Sequence, residues 1–512
     1  MNNLSQYLGG MDYLLMLPML ELTIFALGIL MIDLMLPPQW KWMNAVSALV
    51  GVVFAAVSVG RIQSHLIGGG RGSFYQLGLM NTVLVDRIAI YFFYLFLVGT
   101  AIAIVMSVRY LEIEDEHHGE FYALMLLSVV GMMCMAAGLD IVLIFIGLEL
   151  MAISTYILVG FLRRDRRSNE AALKNLLLGA FSSGIFAYGL SLLYGLTGST
   201  NLGVIRNAVG RMDPHNPVLI IALLTTMVGL MFKIAAIPFH QWAPDAYEGA
   251  PTSMTGFMSV AVKAAAWAML IRILLLGLFP LRAVYAPMLV FVAIATMTGA
   301  NFAALTQTNT KRLLAYSSIA HVGYMLLALV AVATAEPGSP GFNDGLKGIL
   351  VYLLVYTFMN LGAFAVITSL RHRNVIGDEL DDIAGLYQRQ PVEAVLMLFF
   401  LLSLAGIPPM AGFLGKYYIF LSLIETGHYV LASLAVLYAL FGLYYYLKIA
   451  NAMFMRQPME SGRLPVSLGM RFALGVCALA TIVIGVYPEP FIRSVNWALG
   501  IAQSPHVAAM MK

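Results

Sequence analysis

Apolar runs of about twenty residues, parted by short polar stretches, recur along the whole chain. A helix needs about 20 mostly apolar residues to cross a bilayer. Fourteen segments approach or exceed that length. The first seven cover roughly 12–36, 43–62, 84–108, 120–138, 141–162, 171–196 and 217–247. The rest cover roughly 252–278, 285–306, 312–334, 345–370, 392–424, 429–454 and 468–487. The segments at 217–247 and 392–424 are too long for one straight crossing, and proline interrupts both. The pattern predicts an all-α polytopic membrane protein with about 14 transmembrane helices. The polar connections 109–119, 197–216 and 371–391 are too short to fold alone, so residues 1–512 form one membrane domain. After the last span only a short tail is expected, with Trp497 and Lys512.

Composition agrees. The chain is 61% hydrophobic and 11% charged, with a mean hydropathy of +0.86. A soluble domain carries about 25% charged residues. The net charge of +3 is small and the basic residues sit in loops, which argues against nucleic-acid binding. Cys134 and Cys477 each lie inside an apolar run, which argues against a disulfide framework, an iron–sulfur cluster or a zinc site. The N-terminus lacks a basic region before its first apolar stretch, so that stretch reads as a retained helix.

Loop charges orient the spans. Connections after odd-numbered spans carry Lys41, Arg109, Arg163, Arg164, Arg166, Arg167, Lys311, Arg312, Arg371, Arg373, Arg389, Arg456 and Arg463. Those after even-numbered spans carry only Arg61, Arg71, Arg206, Arg211 and Arg282. The odd side is therefore read as cytoplasmic. Both termini then face the opposite side, which requires an even number of spans.

The two interrupted spans share a sequence. Lys233-Ile-Ala-Ala-Ile-Pro238-Phe-His240 aligns with Ser403-Leu-Ala-Gly-Ile-Pro408-Pro409 on Ala-x-Ile-Pro, five spans apart. An odd offset inverts the second unit, and inverted repeats with one broken helix each are common in ion transporters. The boundaries read as N-terminal helices at 12–119, a first repeat at 120–278, a second at 285–454, and a final helix with tail at 455–512. A proline cannot donate to the carbonyl four residues back. Pro238 should thus free the carbonyl of Ile234, and Pro408 and Pro409 those of Leu404 and Ala405. Free carbonyls at membrane depth survive only inside protein or beside a water-filled cavity.

Charges in the spans carry the functional reading. Lys233, Lys263 and Lys416 sit near span centres, as does Glu149. A central lysine costs about 2.5–3.5 kcal/mol on insertion scales. Static salt bridges fail on counting, because three lysines face one glutamate. In general burial favours neutral lysine, while a nearby carboxylate favours the charged form. A lysine beside a movable partner can switch between the two, which is what a proton relay needs. His321, in Tyr316-Ser-Ser-Ile-Ala-His321, is a further link or a core residue satisfied by neighbouring hydroxyls. His240 is similar but nearer a helix end.

Other features weigh less. Lys174, Lys347 and Lys448 lie near helix ends and can snorkel. Glu21 has no assigned role. Arg163 to Arg167 read as a topology signal. Asp378, Glu379, Asp381 and Asp382 read as a solvated loop or a docking surface. The many Met and aromatic residues read as packing. No His, Asp or Glu cluster suggests a metal.

Together these stretches resemble a known family. They are Gly147-Leu-Glu149-Leu; Phe232-Lys233 through His240-Gln-Trp-Ala-Pro-Asp245-Ala-Tyr-Glu-Gly-Ala-Pro251-Thr; Ser259-Val-Ala-Val-Lys263; Lys311-Arg-Leu-Leu-Ala-Tyr-Ser-Ser-Ile-Ala-His321; and Gly406-Ile-Pro-Pro-Met-Ala-Gly-Phe-Leu-Gly-Lys416. The chain resembles the antiporter-like subunits of proton-pumping NADH:quinone oxidoreductase, respiratory complex I. The subunit N group, related to mitochondrial subunit 2, fits better than M or L. An M-type chain usually has glutamate where Lys416 stands, and an L-type chain adds a long lateral helix.

The resemblance implies roles. Glu149 and Lys233 would form the ion pair of one half-channel. Lys263 would be the central lysine, His321 its onward link, and Lys416 the terminal lysine on the exit side. NADH, flavin, iron–sulfur clusters and quinone would belong to other subunits, and no cofactor or metal to this chain. Partners would be a neighbouring subunit M and small subunits K and J, in a bacterial inner membrane. Two other functions stay open: a subunit of a multi-subunit cation/proton antiporter, and a structural scaffold with passive salt bridges.

Overall fold

A computed structural model describes residues 10–68, 75–371, 377–458 and 466–500. Arg71, Arg373, Arg463 and Lys512, which enter the sequence reading, lie outside the described residues. The chain opens with α1 (Gly10–Met35), α2 (Trp42–Gly68), α3 (Arg87–Glu114) and α4 (Gly119–Ala137). Next come α5 (Ile141–Val159), α6 (Arg166–Thr197) and the short α7 (Leu202–Val209). The first broken span is α8 (Pro217–Lys233) with α9 (Trp242–Gly249). It is followed by α10 (Thr252–Gly277), α11 (Arg282–Thr306), α12 (Thr310–Thr334) and α13 (Pro340–Ser369). The second broken span is α14 (Pro391–Ala405) with α15 (Ala411–Glu425). The described chain ends with α16 (Tyr429–Met455), α17 (Leu468–Val486) and α18 (Glu489–Leu499).

Among the described residues twelve helices are long and apolar enough to cross a bilayer, and α8 and α14 are shorter apolar helices. The chain is an all-α polytopic membrane protein, with two spans broken where proline interrupts the pattern. Helix starts are capped by side chains the hydropathy pattern ignores. Asp86, Asp140, Asp165, Asn216, Asn309 and Ser467 each accept a backbone N–H there.

Four local features depart from the sequence reading. An antiparallel hairpin, β1 (Tyr75–Gly78) with β2 (Val83–Asp86), precedes α3. Strands of four residues are too short for hydropathy to reveal. The polar connection 109–119 is helical as far as Glu114, and Asp115 ends that helix in a left-handed turn. The tail after the last span folds as amphipathic α18. It buries Val495, Ala498 and Leu499 against α3 and α13. The acidic run is no free loop. Asp378 is buried, its carbonyl accepts from Thr310, and Glu379 accepts from Asn309 at 3.1 Å. Only Asp381 stays exposed, paired with Arg456 at 2.8 Å.

The core is a radial arrangement. α10, α12 and α13 are almost wholly buried, whereas α1, α6, α11, α16 and α17 turn much of their surface outward. α8 packs on α10, and α15 packs on both α12 and α13. The broken spans therefore flank the three innermost helices. α10 also contains two π-helical stretches, Met258–Val262 and Arg272–Gly277, and Lys263 directly follows the first.

Both breaks begin before their prolines. α8 ends in a left-handed turn at Ala235 (φ +59°), with Ala235 N donating to Phe232 and Ala236 N to Met231. α14 ends likewise at Gly406 (φ +84°), with Gly406 N donating to Ser403 and Ile407 N to Leu402. These paired bonds satisfy carbonyls that a helix end leaves open. They match Ala235 with Gly406, and hence Pro238 with Pro409. The sequence alignment of Pro238 with Pro408 is one residue out.

Candidate functional site

Four of the five expected site residues lie on the innermost helices and their two flanks, and Glu149 lies on α5. Lys233 is in the last turn of α8, Lys263 in α10, His321 in α12 and Lys416 in α15. All four are buried. Glu149, on α5, is half-buried. Among the described residues none of the three lysines forms an ion pair. Each is met by neutral oxygen.

Lys233 Nζ donates to the Tyr156 hydroxyl at 3.3 Å, and it lies 5.7 Å from the centre of that ring. The direct Glu149–Lys233 ion pair that the resemblance implies is not formed in this arrangement. Glu149 Oε1 is buried with no hydrogen-bond partner among the described residues.

Lys263 Nζ donates to the Ser318 carbonyl at 2.9 Å and to the Ser318 hydroxyl. One turn earlier on α10, Ser259 Oγ accepts from Asn360 at 2.6 Å. His321 is held at both ring nitrogens by phenols. Nδ1 shares a hydrogen bond with Tyr352, and Nε2 lies 3.0 Å from the Tyr446 hydroxyl. That hydroxyl is 2.5 Å from Ser317 Oγ. A neutral imidazole has one donor and one acceptor nitrogen, so a tautomer change reverses both bonds.

Lys416 closes the second break. Its Nζ donates to Ala405 O at 2.6 Å and Leu404 O at 3.3 Å, the two carbonyls that proline chemistry marks as free. The ammonium also lies 5.2 Å from the centre of the Tyr324 ring, which stands 6.3 Å from the His321 ring. Gly406 leaves room for this lysine. A Cβ there would lie 2.8 Å from Lys416 Cδ.

The other charges are anchored. Lys174 pairs with Glu170 and Asp245, Lys347 with Asp344, and Lys448 donates to Leu305 and Gln307 carbonyls. Arg312 pairs with Asp245 at 2.6 Å and Glu248 at 2.9 Å, fixing α9 to α12. Glu21 accepts from Ser58 at 2.8 Å. His240 is half-buried, its ring 6.4 Å from Tyr316.

Sequence reasoning missed two groups. One is the set of hydroxyl partners, Tyr156, Ser318, Tyr352 and Tyr446, which share the look of packing residues. The Ser317-Ser318 pair beside His321 was their only signal. The other is Arg272, which is buried, grips Asp86 with both terminal nitrogens (2.7 and 2.5 Å) and donates to Ala136 O at 2.7 Å. An arginine that far into an apolar run was a signal in itself.

The family model described as NADH:quinone oxidoreductase/Mrp antiporter, TM, matches residues 138–442. A relative from Koribacter versatilis (strain Ellin345), NADH-quinone oxidoreductase subunit N 1, is 60% identical over 100% of both chains. The chain belongs to the subunit N family of NADH-quinone oxidoreductases. A chain of respiratory complex I from Thermus thermophilus with bound aureothin is 31% identical, with a TM-score of 0.76 over 93% of this chain and 99% of that one. A chain of the Mrp complex from Dietzia sp. DQ12-45-1b shares the fold, with a TM-score of 0.77 at 19% identity over 96% of this chain and 99% of that one. The family match spans all five expected site residues.

Proposed function

We propose that this subunit N chain translocates protons within an NADH:quinone oxidoreductase. Glu149 and Lys233 take up the proton, Lys263 and His321 carry it across the innermost helices, and Lys416 delivers it to the far side. The observation that carries this reading is the run of polar contacts at the centre of the fold. Lys263 bonds Ser318, and Ser317, Tyr446, His321 and Tyr352 bond one another in turn. Each hydroxyl or imidazole both gives and takes a proton, so the Ser317–Tyr446–His321–Tyr352 run can pass one along by reorienting, and Ser318, next to Ser317 in the chain, brings Lys263 to its end.

Burying three lysines among neutral acceptors is costly, on the order of 10 kcal/mol before pairing. A passive scaffold could use Lys416 as a cap but has no use for Lys233 held by a single phenol, whereas a relay needs charges that are poorly paired and can move. The drive is quinone reduction in other subunits, where NADH, flavin, iron–sulfur clusters and quinone reside. This chain acts as a translocase component without a redox centre. Its partners are the neighbouring subunit M and small subunits K and J. The arginine-rich loops face the cytoplasm of a bacterial inner membrane, and both termini face the periplasm.

The test uses the whole complex in proteoliposomes. Lys233→Ala and Glu149→Gln should each reduce NADH-driven proton uptake and quinone-linked turnover together. Wild-type pumping in both variants would overturn the relay. Sodium-driven proton exchange with no response to NADH would favour the antiporter reading instead.

A further inference from the structure

The partner of Lys233 is a phenol, where the relay reading calls for a carboxylate. Tyr156 follows Glu149 by two helical turns on α5, so both lie on the same face of that helix. Helical side chains lean toward the N-terminus, which tips the Tyr156 ring toward the level of Glu149. Its hydroxyl accepts from Lys233 at 3.3 Å, while Glu149 Oε1 is buried without a partner. Glu149 and Lys233 therefore flank Tyr156 without bonding each other.

The hydroxyl is also seated from a second helix. Gly179 on α6 faces it so closely that a Cβ there would lie 1.9 Å from the oxygen and 2.6 Å from Cζ. Glycine at 179 thus opens a notch in α6 that admits the phenol tip. Three helices, α5, α6 and α8, converge on one oxygen atom.

We propose that Tyr156 is a positioning residue of the relay, which holds Lys233 off Glu149 so that this pair can close and reopen. This rests on the relay reading above. A contact ion pair in a low-dielectric interior is deep and slow to open. A hydrogen bond to a neutral phenol is shallower, so Lys233 leaves it readily when the charge at Glu149 or Lys263 changes. Without the hydroxyl the ammonium has Glu149 as its nearest strong acceptor and stays there.

The test compares Tyr156→Phe, Gly179→Ala, their double variant and Lys233→Ala in the purified complex, each normalised to assembled complex. Tyr156→Phe should lower the NADH:quinone kcat about tenfold, the order of one lost hydrogen bond to a charge. The quinone KM should not move, because the site lies apart from quinone. Gly179→Ala should lower kcat in the same direction while the hydroxyl is still present. In the Tyr156→Phe background Gly179→Ala should lower kcat by much less, because the hydroxyl it displaces is already gone, although the ring atom Cζ still meets the new Cβ at 2.6 Å; a purely structural glycine would cost the same in both backgrounds. If Tyr156→Phe fails to assemble, Gly179→Ala carries the test. Normal kcat in the assembled variants alongside a defective Lys233→Ala overturns the role of Tyr156 and leaves the relay standing. Normal kcat in Lys233→Ala overturns the relay, and this role with it.

Discussion

The two broken spans use one turn and close it differently. At the first, Trp242 Nε1 donates to the Phe232 carbonyl at 3.0 Å, with the indole stacked on the Phe232 ring. Lys233 is then free to reach away, to Tyr156. At the second, Ser403 Oγ accepts from Gly412 N at 3.1 Å, and Lys416 itself fills the gap by donating to Leu404 and Ala405. The lysines are not equivalent by position. Lys233 ends the leading half-helix, and Lys416 stands in the trailing one. The first break takes no hydrogen bond from its lysine side chain, whereas the second takes two. One lysine is a mobile carrier seated beside a break. The other is part of the backbone's hydrogen-bonding and can release a proton only by giving up or reorganising a cap.

The largest test of that contrast compares Lys416→Met with Lys233→Met. Each variant removes one buried ammonium, so the gain from no longer burying it is common to both and cancels in the difference. What remains is two carbonyls losing their donor, against one phenol losing its donor. Lys416→Met should be the less stable by about 3 kcal/mol, read by thermal denaturation of the intact complex. Equal stability would mean that the second break does not depend on its lysine.

Next in size is Gly406→Ala. The left-handed φ disfavours a side chain, and the new Cβ would press on Lys416 Cδ at 2.8 Å. The expected loss is about 2 kcal/mol in the same assay, with a matching fall in proton uptake because the lysine is displaced. Full pumping in this variant would detach Lys416 from its seat as a requirement for transport.

The sequence revealed these two regions unevenly, and for physical reasons. The spans were readable because hydrocarbon demands about twenty apolar residues in a row. Lys233, Lys263, Lys416, Glu149 and His321 stood out because lipid penalises them. Leu404 and Ala405 could be named as open acceptors because proline lacks the N–H that would fill them. The turn itself could not be seen, since nothing in Lys233-Ile-Ala-Ala announces that Ala235 is left-handed. The register therefore slipped by one. The acceptors also stayed hidden. With 25 tyrosines in the chain, Tyr156, Tyr352 and Tyr446 look like any other packing residue until the fold brings them against a charge. The Arg272–Asp86 pair joins residues far apart in the chain, which no local pattern can reveal.

A smaller effect belongs to the first break. Trp242→Phe keeps a ring to stack on Phe232 and removes only the indole donor. The expected loss is about 1 kcal/mol, the net worth of one hydrogen bond. Lys233 should keep its contact with Tyr156, so turnover of the assembled complex should fall little. A collapse of turnover in Trp242→Phe would mean that closing the break and positioning the lysine are one event, and the contrast would fail.

The smallest effect should be a slight gain. Ala235→Gly relieves a left-handed alanine, a strain of about 1 kcal/mol. The freer glycine in the unfolded chain gives back about 0.5–1 kcal/mol of that. The net should be a stabilisation no larger than about 0.5 kcal/mol. Ala235 and Gly406 occupy matched positions in matched turns, so the two swaps run one substitution in opposite directions. Backbone strain alone would make their effects equal and opposite. The expected inequality, about 2 kcal/mol lost against at most about 0.5 gained, isolates what Lys416 adds by lying against Gly406. A gain at Ala235 as large as the loss at Gly406 would assign both effects to the backbone and leave the lysine seat with no energetic role.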